Sequence, residues 1–127
     1  VFAKPPPQTI YVAVVDDDES YSRSLARLLR AVDYQPVTYS SAEAFLADRK
    51  HPRFDCLVLD IALGAGISGL ELARRLALVG SPTPIVYVSA HDDQKTRDEA
   101  SGAGCKAFVS KVESSDILLK AIEAALV

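Results

Sequence analysis

The residues of this chain with chemical potential stand where apolar runs end. Asp16-Asp17-Asp18-Glu19 follows the run Ile10–Val15, and Asp60 follows the run over 54–59. Ser89 ends the run over 84–89 and is followed by Ala90 and His91; Ser110-Lys111 ends the run over 106–110. Each has an ordinary use alone. Acids at a helix start gain a fraction of a kcal/mol from the helix dipole. Asp60 suits a loop or cap, Ser89 a turn, and Lys111 a solvated surface. Gathered at one rim they would do more. Clustered carboxylates repel one another where the dielectric is low, so a compensating charge is needed. A hard divalent cation with oxygen ligands supplies it, and Mg²⁺ suits a site that also holds phosphate. A lysine and a hydroxyl opposite the carboxylates bind phosphoryl oxygens. The chemistry this set supports is Mg²⁺-dependent phosphoryl transfer to a carboxylate nucleophile.

Such a gathering requires the elements between these positions to repeat one plan. Residues 10–15 are apolar and largely β-branched, which predicts a strand buried on both faces. Over 19–32, Tyr21, Leu25, Leu28, Leu29 and Val32 form one helical stripe. Residues 36–39 predict a second strand, and Ser40-Ser41-Ala42-Glu43 is a capping-box pattern opening a helix to about residue 49. A third strand over 54–59 leads through a glycine-rich loop to a helix over 69–79. A fourth strand covers 84–89, a polar helix 92–104, and a fifth strand 106–110. The last helix, 114–126, turns Ile117, Leu118, Ala121, Ile122 and Ala125 inward. Strand and helix thus alternate throughout. This predicts an α/β fold with a parallel, doubly wound sheet covered on both faces. Ligands bind such sheets at the carboxyl ends of the strands. Residues 1–9, with three consecutive prolines, read as an extended tail or linker, and 10–127 as one domain.

Composition narrows the function classes. The 127 residues carry 17 acidic and 14 basic side chains, a net charge of −3 that offers no basic stripe for nucleic acid. No apolar run approaches the roughly 18 residues of a membrane span, and no secretory signal is visible. The two cysteines, Cys56 and Cys105, lie in apolar contexts and read as reduced core residues of a cytoplasmic protein.

Val14-Val15-Asp16-Asp17, Leu57-Val58-Leu59-Asp60, Val88-Ser89-Ala90 and Phe108-Val109-Ser110-Lys111 resemble the signature of bacterial two-component response-regulator receiver domains, over about residues 10–126. The resemblance implies a flavodoxin-like (βα)5 fold with strand order 2-1-3-4-5. It implies that Asp60 is the phosphoacceptor, taking its phosphoryl group from a histidine kinase, a phosphotransfer protein or a small acyl phosphate. Asp17, Asp60 and the Ala62 backbone carbonyl would ligate Mg²⁺, with Asp16 acting through a metal-bound water. Ser89 would hydrogen-bond the phosphoryl group and Lys111 would pair with its charge. Ser89 and Phe108 would form the switch that remodels the face of the helix over 92–104, the fifth strand and the last helix. The positions of Ala62 and His91 are those from which the family tunes phosphoryl lifetime; for His91 a solvated loop histidine is the plainer alternative. Homodimerisation on phosphorylation is a further implication. The implied strand order separates Cys56 from Cys105 by about 10 Å, too far for a disulfide.

Two positions depart from the family pattern. Leu63-Gly64 replaces a Met-Pro pair, and Gly69 lies nine residues after Asp60 where the family has eight, so the loop is about one residue longer. Val112 follows Lys111 where the family has a cis proline. A cis bond before a non-proline costs roughly 2.5–4 kcal/mol, which predicts a trans Lys111–Val112 bond. Three other readings stay open on the residues alone. Gly64-Ala65-Gly66-Ile67-Ser68-Gly69 matches a dinucleotide-binding loop, although it does not directly follow its strand. Asp16-x-Asp18 with Ser89 and Lys111 resembles haloacid dehalogenase-like phosphatases, with Asp16 as nucleophile. A receiver fold used only for interaction, without phosphorylation, is the third.

Overall fold

The computed structural model describes residues 9–90, 98–99 and 107–127. The helix expected over 92–104, His91, Cys105, and residues 1–8 of the tail fall wholly or almost wholly outside them. Five strands, β1 (Ile10–Val15), β2 (Tyr34–Tyr39), β3 (Cys56–Asp60), β4 (Ile85–Ser89) and β5 (Ala107–Ser110), alternate with helices. The described helices are α1 (Glu19–Ala31), α2 (Ala42–Ala47), α3 (Gly69–Leu78) and, after β5, α4 (Ser115–Ala125). Every strand pairing is parallel, and the order is β2-β1-β3-β4-β5. This is the doubly wound arrangement anticipated from the alternation. Among the described residues no helix is long and apolar enough to cross a membrane.

The period of two along each strand sorts the core into two layers. Ala13, Val15, Leu57, Leu59, Ile85 and Tyr87 face α2 and α3, where they meet Phe45, Leu70 and Leu72. Val12, Val14, Cys56, Val58, Val86, Val88 and Val109 face α1 and α4, where they meet Leu25, Leu29, Leu118 and Ile122. Strands buried on both faces have no polar side to expose, hence their near-continuous apolar runs. Cys56 is fully buried in β3, and burial pushes its thiol up to about 12.

Several local expectations change, and the third strand, expected over 54–59, runs Cys56–Asp60. The second strand begins at Tyr34, two residues early, because Tyr34 and Gln35 continue the register against Ile10 and Tyr11. Pro36 is tolerated there because β2 is an edge strand. The capping box over 40–43 does not form. Ser41 is the N-cap of α2, its Oγ accepting from the Ala44 amide at 3.0 Å, and the helix ends at Ala47. Glu43 instead accepts from the Ile67 amide at 3.1 Å, on the loop after β3. The Lys111–Val112 bond is trans, as Val112 in place of proline predicts.

Candidate functional site

Strand alternation does the first part of the positioning. Continuing the sequence Val12, Val14 places Asp16 toward the α1 and α4 layer, and Cys56, Val58 does the same for Asp60. Ala107, Val109 does it for Lys111. Ser89 and Phe108 have the opposite parity, that of Ile85 and Tyr87, and Phe108 packs half-buried against that other layer.

Local hydrogen bonds then fix the acids. Asp16 is buried: its amide donates to the Tyr39 carbonyl at 3.0 Å, and its Oδ1 accepts from the Asp18 amide at 2.9 Å. Asp18 is in turn the N-cap of α1, its Oδ1 accepting from the Tyr21 amide at 3.1 Å. The Asp60 carboxylate accepts from the Ala62 amide at 3.0 Å through Oδ1. Asp17 is exposed, with one carboxylate oxygen against Gly64, where an added Cβ would lie 3.0 Å from it. Carboxylate oxygens of Asp16, Asp17 and Asp60 lie within 4.8 Å of one another.

Lys111 enters this acidic pocket from β5. Its amide donates to the Ser89 carbonyl at 2.9 Å, extending the β4–β5 ladder by one residue. Its Nζ lies 2.7 Å from Asp16 Oδ2 and 3.1 Å from Asp60 Oδ2. The Tyr21 ring centroid is 4.6 Å from the same ammonium. Burial, then the neighbouring Asp16 charge, push the Asp60 carboxyl up to about 6, against the Ala62 amide and Lys111, which pull it down. Burial works against the Lys111 charge, but Asp16 and Asp60 outweigh it and the net shift is upward. Burial also pushes the Tyr21 phenol up to about 12. The result is a pocket with three carboxylates, one ammonium and a net negative charge. Those oxygen donors suit a hard divalent cation.

Comparison with known proteins gives this geometry a family. The response regulator receiver domain family matches the chain over residues 12–123. The chain belongs to that family. Among the relatives of this receiver is the response regulator protein TmoT of Ectopseudomonas mendocina, 35% identical over 119 residues, which span 94% of this chain and 54% of TmoT. The receiver covers about half the length of the curated relatives it matches. Among solved structures, FixJ-N superposes with a TM-score of 0.84 at 34% identity, over 94% of both chains. A response regulator receiver protein from Burkholderia phymatum superposes at 0.81 with 37% identity, over 93% of this chain and 95% of that one.

The receiver brings together Asp16, Asp17, Asp60 and Lys111, and sets the Ala62 amide on Asp60. Ser89 is buried at the end of the neighbouring strand, across from Ser110. His91 lies outside the described residues. Asp18, the acid/base of the phosphatase reading, is engaged as a helix cap. Three residues of the receiver's site escape a reading of the sequence. Tyr21 scans as one more member of the α1 apolar stripe, although its place three residues after an Asp cap puts it in the first turn, at the rim. Glu43 scans as part of a cap. Gly69 scans as the first residue of a helix and as the family's glycine displaced by one, but its contact does not show: a Cβ there would overlap the Asp60 carbonyl oxygen. Only glycine lets α3 start this close to β3.

Proposed function

We propose that this receiver accepts a phosphoryl group on Asp60. Asp60 is a buried carboxylate at the end of the central strand, held by Lys111 and within reach of two further carboxylates. That observation carries the reading. Mg²⁺ fits the donor set: Asp17, Asp60 and the Ala62 carbonyl would hold it, with Asp16 acting through water. The ion would supply charge neutralisation for the carboxylates and the incoming phosphoryl oxygens. An Asp60 oxygen attacks phosphorus, forming the O–P bond as the bond to a phosphohistidine nitrogen, or to the oxygen of an acyl phosphate, breaks. Lys111, otherwise neutralised by Asp16 and Asp60, pairs with the transferred charge. Ser89 donates a hydroxyl hydrogen bond from the neighbouring strand. Its movement, followed by Phe108 turning inward, is the two-state element through which the charge reaches the β5 and α4 face. Hydrolysis of the acyl phosphate, tuned from Ala62 and His91, resets the domain.

On this reading the chain is a signalling module that catalyses its own phosphorylation and dephosphorylation, not a turnover enzyme. Its partners are a histidine kinase or phosphotransfer protein and a second copy of itself after phosphorylation. It acts in the cytoplasm, without direct contact to nucleic acid or membrane. Residues 1–9 serve as a tail or linker, and 10–127 as the receiver.

Intact mass after incubation with acetyl phosphate and Mg²⁺ tests the reading. One phosphoryl adduct is expected on the wild type and none on Asp60→Asn. An adduct that survives Asp60→Asn but is lost with Asp16→Asn would move the nucleophile to Asp16. No adduct on any form, with no Mg²⁺ binding, would leave a receiver fold used only for interaction.

A further inference from the structure

The Lys111 ammonium is held on three sides by groups of two kinds. Two sides are the Asp16 and Asp60 carboxylates, at 2.7 and 3.1 Å. The third is the Tyr21 ring, whose centroid is 4.6 Å away, inside the range of a cation–π contact. The two kinds respond differently to what the site is built to receive. The carboxylates would lose much of their hold on Lys111 with a divalent cation among them, because it would take up their charge. The attraction of an aromatic face for an ammonium does not depend on those carboxylates, and it strengthens as water leaves. The ring therefore holds Lys111 in the state in which its other tethers fail.

The backbone that carries the ring is itself anchored by the acidic run. The Tyr21 amide donates to Asp18 Oδ1, and the Asp18 amide donates to Asp16 Oδ1. The turn that fixes Asp16 thus fixes Tyr21. Lysine needs such a guide, because its four-carbon stem carries about 2 kcal/mol of rotamer entropy. It also has somewhere else to go. A groove of about 430 Å³ runs between α1 and the start of α4, lined by Lys111 and Tyr21 at the rim and by Leu25, Leu28 and Leu118. Glu113 lines it too.

We infer that Tyr21 is a positioning residue for Lys111: its ring keeps the ammonium over the Asp60 pocket and out of the α1–α4 groove when the carboxylates are neutralised. This inference rests on Asp60 as phosphoacceptor, and its test separates the two. The first measurement needs neither metal nor phosphate. In protein ¹³C-labelled at lysine, the methylene next to the Lys111 ammonium, assigned by its loss in Lys111→Arg, is shifted upfield by the ring. Tyr21→Phe keeps the shift, and Tyr21→Leu returns the resonance to the position of the other lysines. The second measurement is the rate of adduct formation with acetyl phosphate and Mg²⁺. A cation–π contact of the usual strength corresponds to a roughly two- to thirtyfold slowing in Tyr21→Leu, with Tyr21→Phe near wild type. Melting curves of both variants separate this loss from a loss of fold. An ordinary Lys111 resonance in the wild type, or a folded Tyr21→Leu as fast as the wild type, overturns the inference. If the wild type forms no adduct on Asp60, the phosphoacceptor reading falls, and the resonance still decides whether Tyr21 seats Lys111.

Discussion

Of the loops that leave the functional rim of this receiver, the one after β3 and the one after β5 each depart from the family pattern. They absorb the departure by opposite means. The β3–α3 loop, about one residue longer than the family pattern, is tied at several points. Gly64 and Gly66 take positive φ, 69° and 92°. Gly69 presses α3 onto the Asp60 carbonyl, and its amide donates to the Ile61 carbonyl at 3.1 Å. The Glu43 carboxylate, from a helix on the same side of the sheet, accepts the Ile67 amide. The β5–α4 loop has no proline after Lys111, and past the Lys111 amide on Ser89 its bonds among the described residues return to Ser110. The Glu113 amide closes a turn on the Ser110 carbonyl at 3.0 Å, and Val112 stands in solvent at 87% exposure. The residue that matters there, Lys111, is held by its side chain. An inserted residue must be given backbone conformations and hydrogen-bond partners, whereas a replaced proline only has to leave the trans chain a turn it can make. The longer loop should therefore be sensitive to substitution and the shorter one tolerant.

The most damaging change should be Gly69→Ala. Its Cβ would meet fixed backbone, so β3 or α3 must shift. We expect a loss of about 3 kcal/mol or more in urea unfolding, together with loss of the phosphoryl adduct. A loss below about 1 kcal/mol would show that the junction yields and that the contrast between the loops is weaker than described. Gly66→Ala should cost less, about 1–2 kcal/mol for a left-handed alanine, and should push the Glu43 carboxylate off the Ile67 amide. Hydrogen exchange at Ile67 reports that displacement directly. Acid should do the same without mutation. The Ile67 amide bond holds the Glu43 carboxyl below its ordinary value, so the tie is present above the ordinary carboxylate range and is lost as pH falls through the lowered value. Ile67 protection that ignores both Gly66→Ala and acid would remove Glu43 from the comparison. Smallest of all, Val112→Ser should stay within about 0.5 kcal/mol of wild type and leave adduct formation unchanged. A larger effect would mean that the β5–α4 loop depends on this side chain after all.

What could be read from the sequence follows from the same distinction. Strand ends are legible because strands buried on both faces are near-continuous apolar runs, and the first polar residue after each marks the rim. Asp16 and Asp60 are such residues, Lys111 follows Ser110 at the end of β5, and the common parity of the three explains why they meet. The contact between Glu43 and Ile67 is not legible, because it joins residues 24 apart through a turn of the tertiary fold. With Ser40 and Ser41 adjacent, only backbone geometry chooses the cap, and choosing Ser41 is what releases Glu43 to the loop. The close approach at Gly69 belongs to packing between α3 and β3, which no local pattern encodes. Tyr21 was visible as a helix residue but not as a rim residue, because periodicity reports which face a side chain shares and not how near the helix end it lies.

Cys56 turns the central strand into a clock. It lies in β3, hydrogen-bonded on both sides by β1 and β4, and its fully buried thiol has no access to reagents while the sheet is closed. In a Cys105→Ser background, each alkylation at Cys56 therefore records an excursion in which the middle of the sheet has come apart. When reclosing outpaces labelling, the labelling rate gives the free energy of that opening. Because Asp60 is the last residue of the same strand, the clock runs on the element that carries the proposed phosphoacceptor.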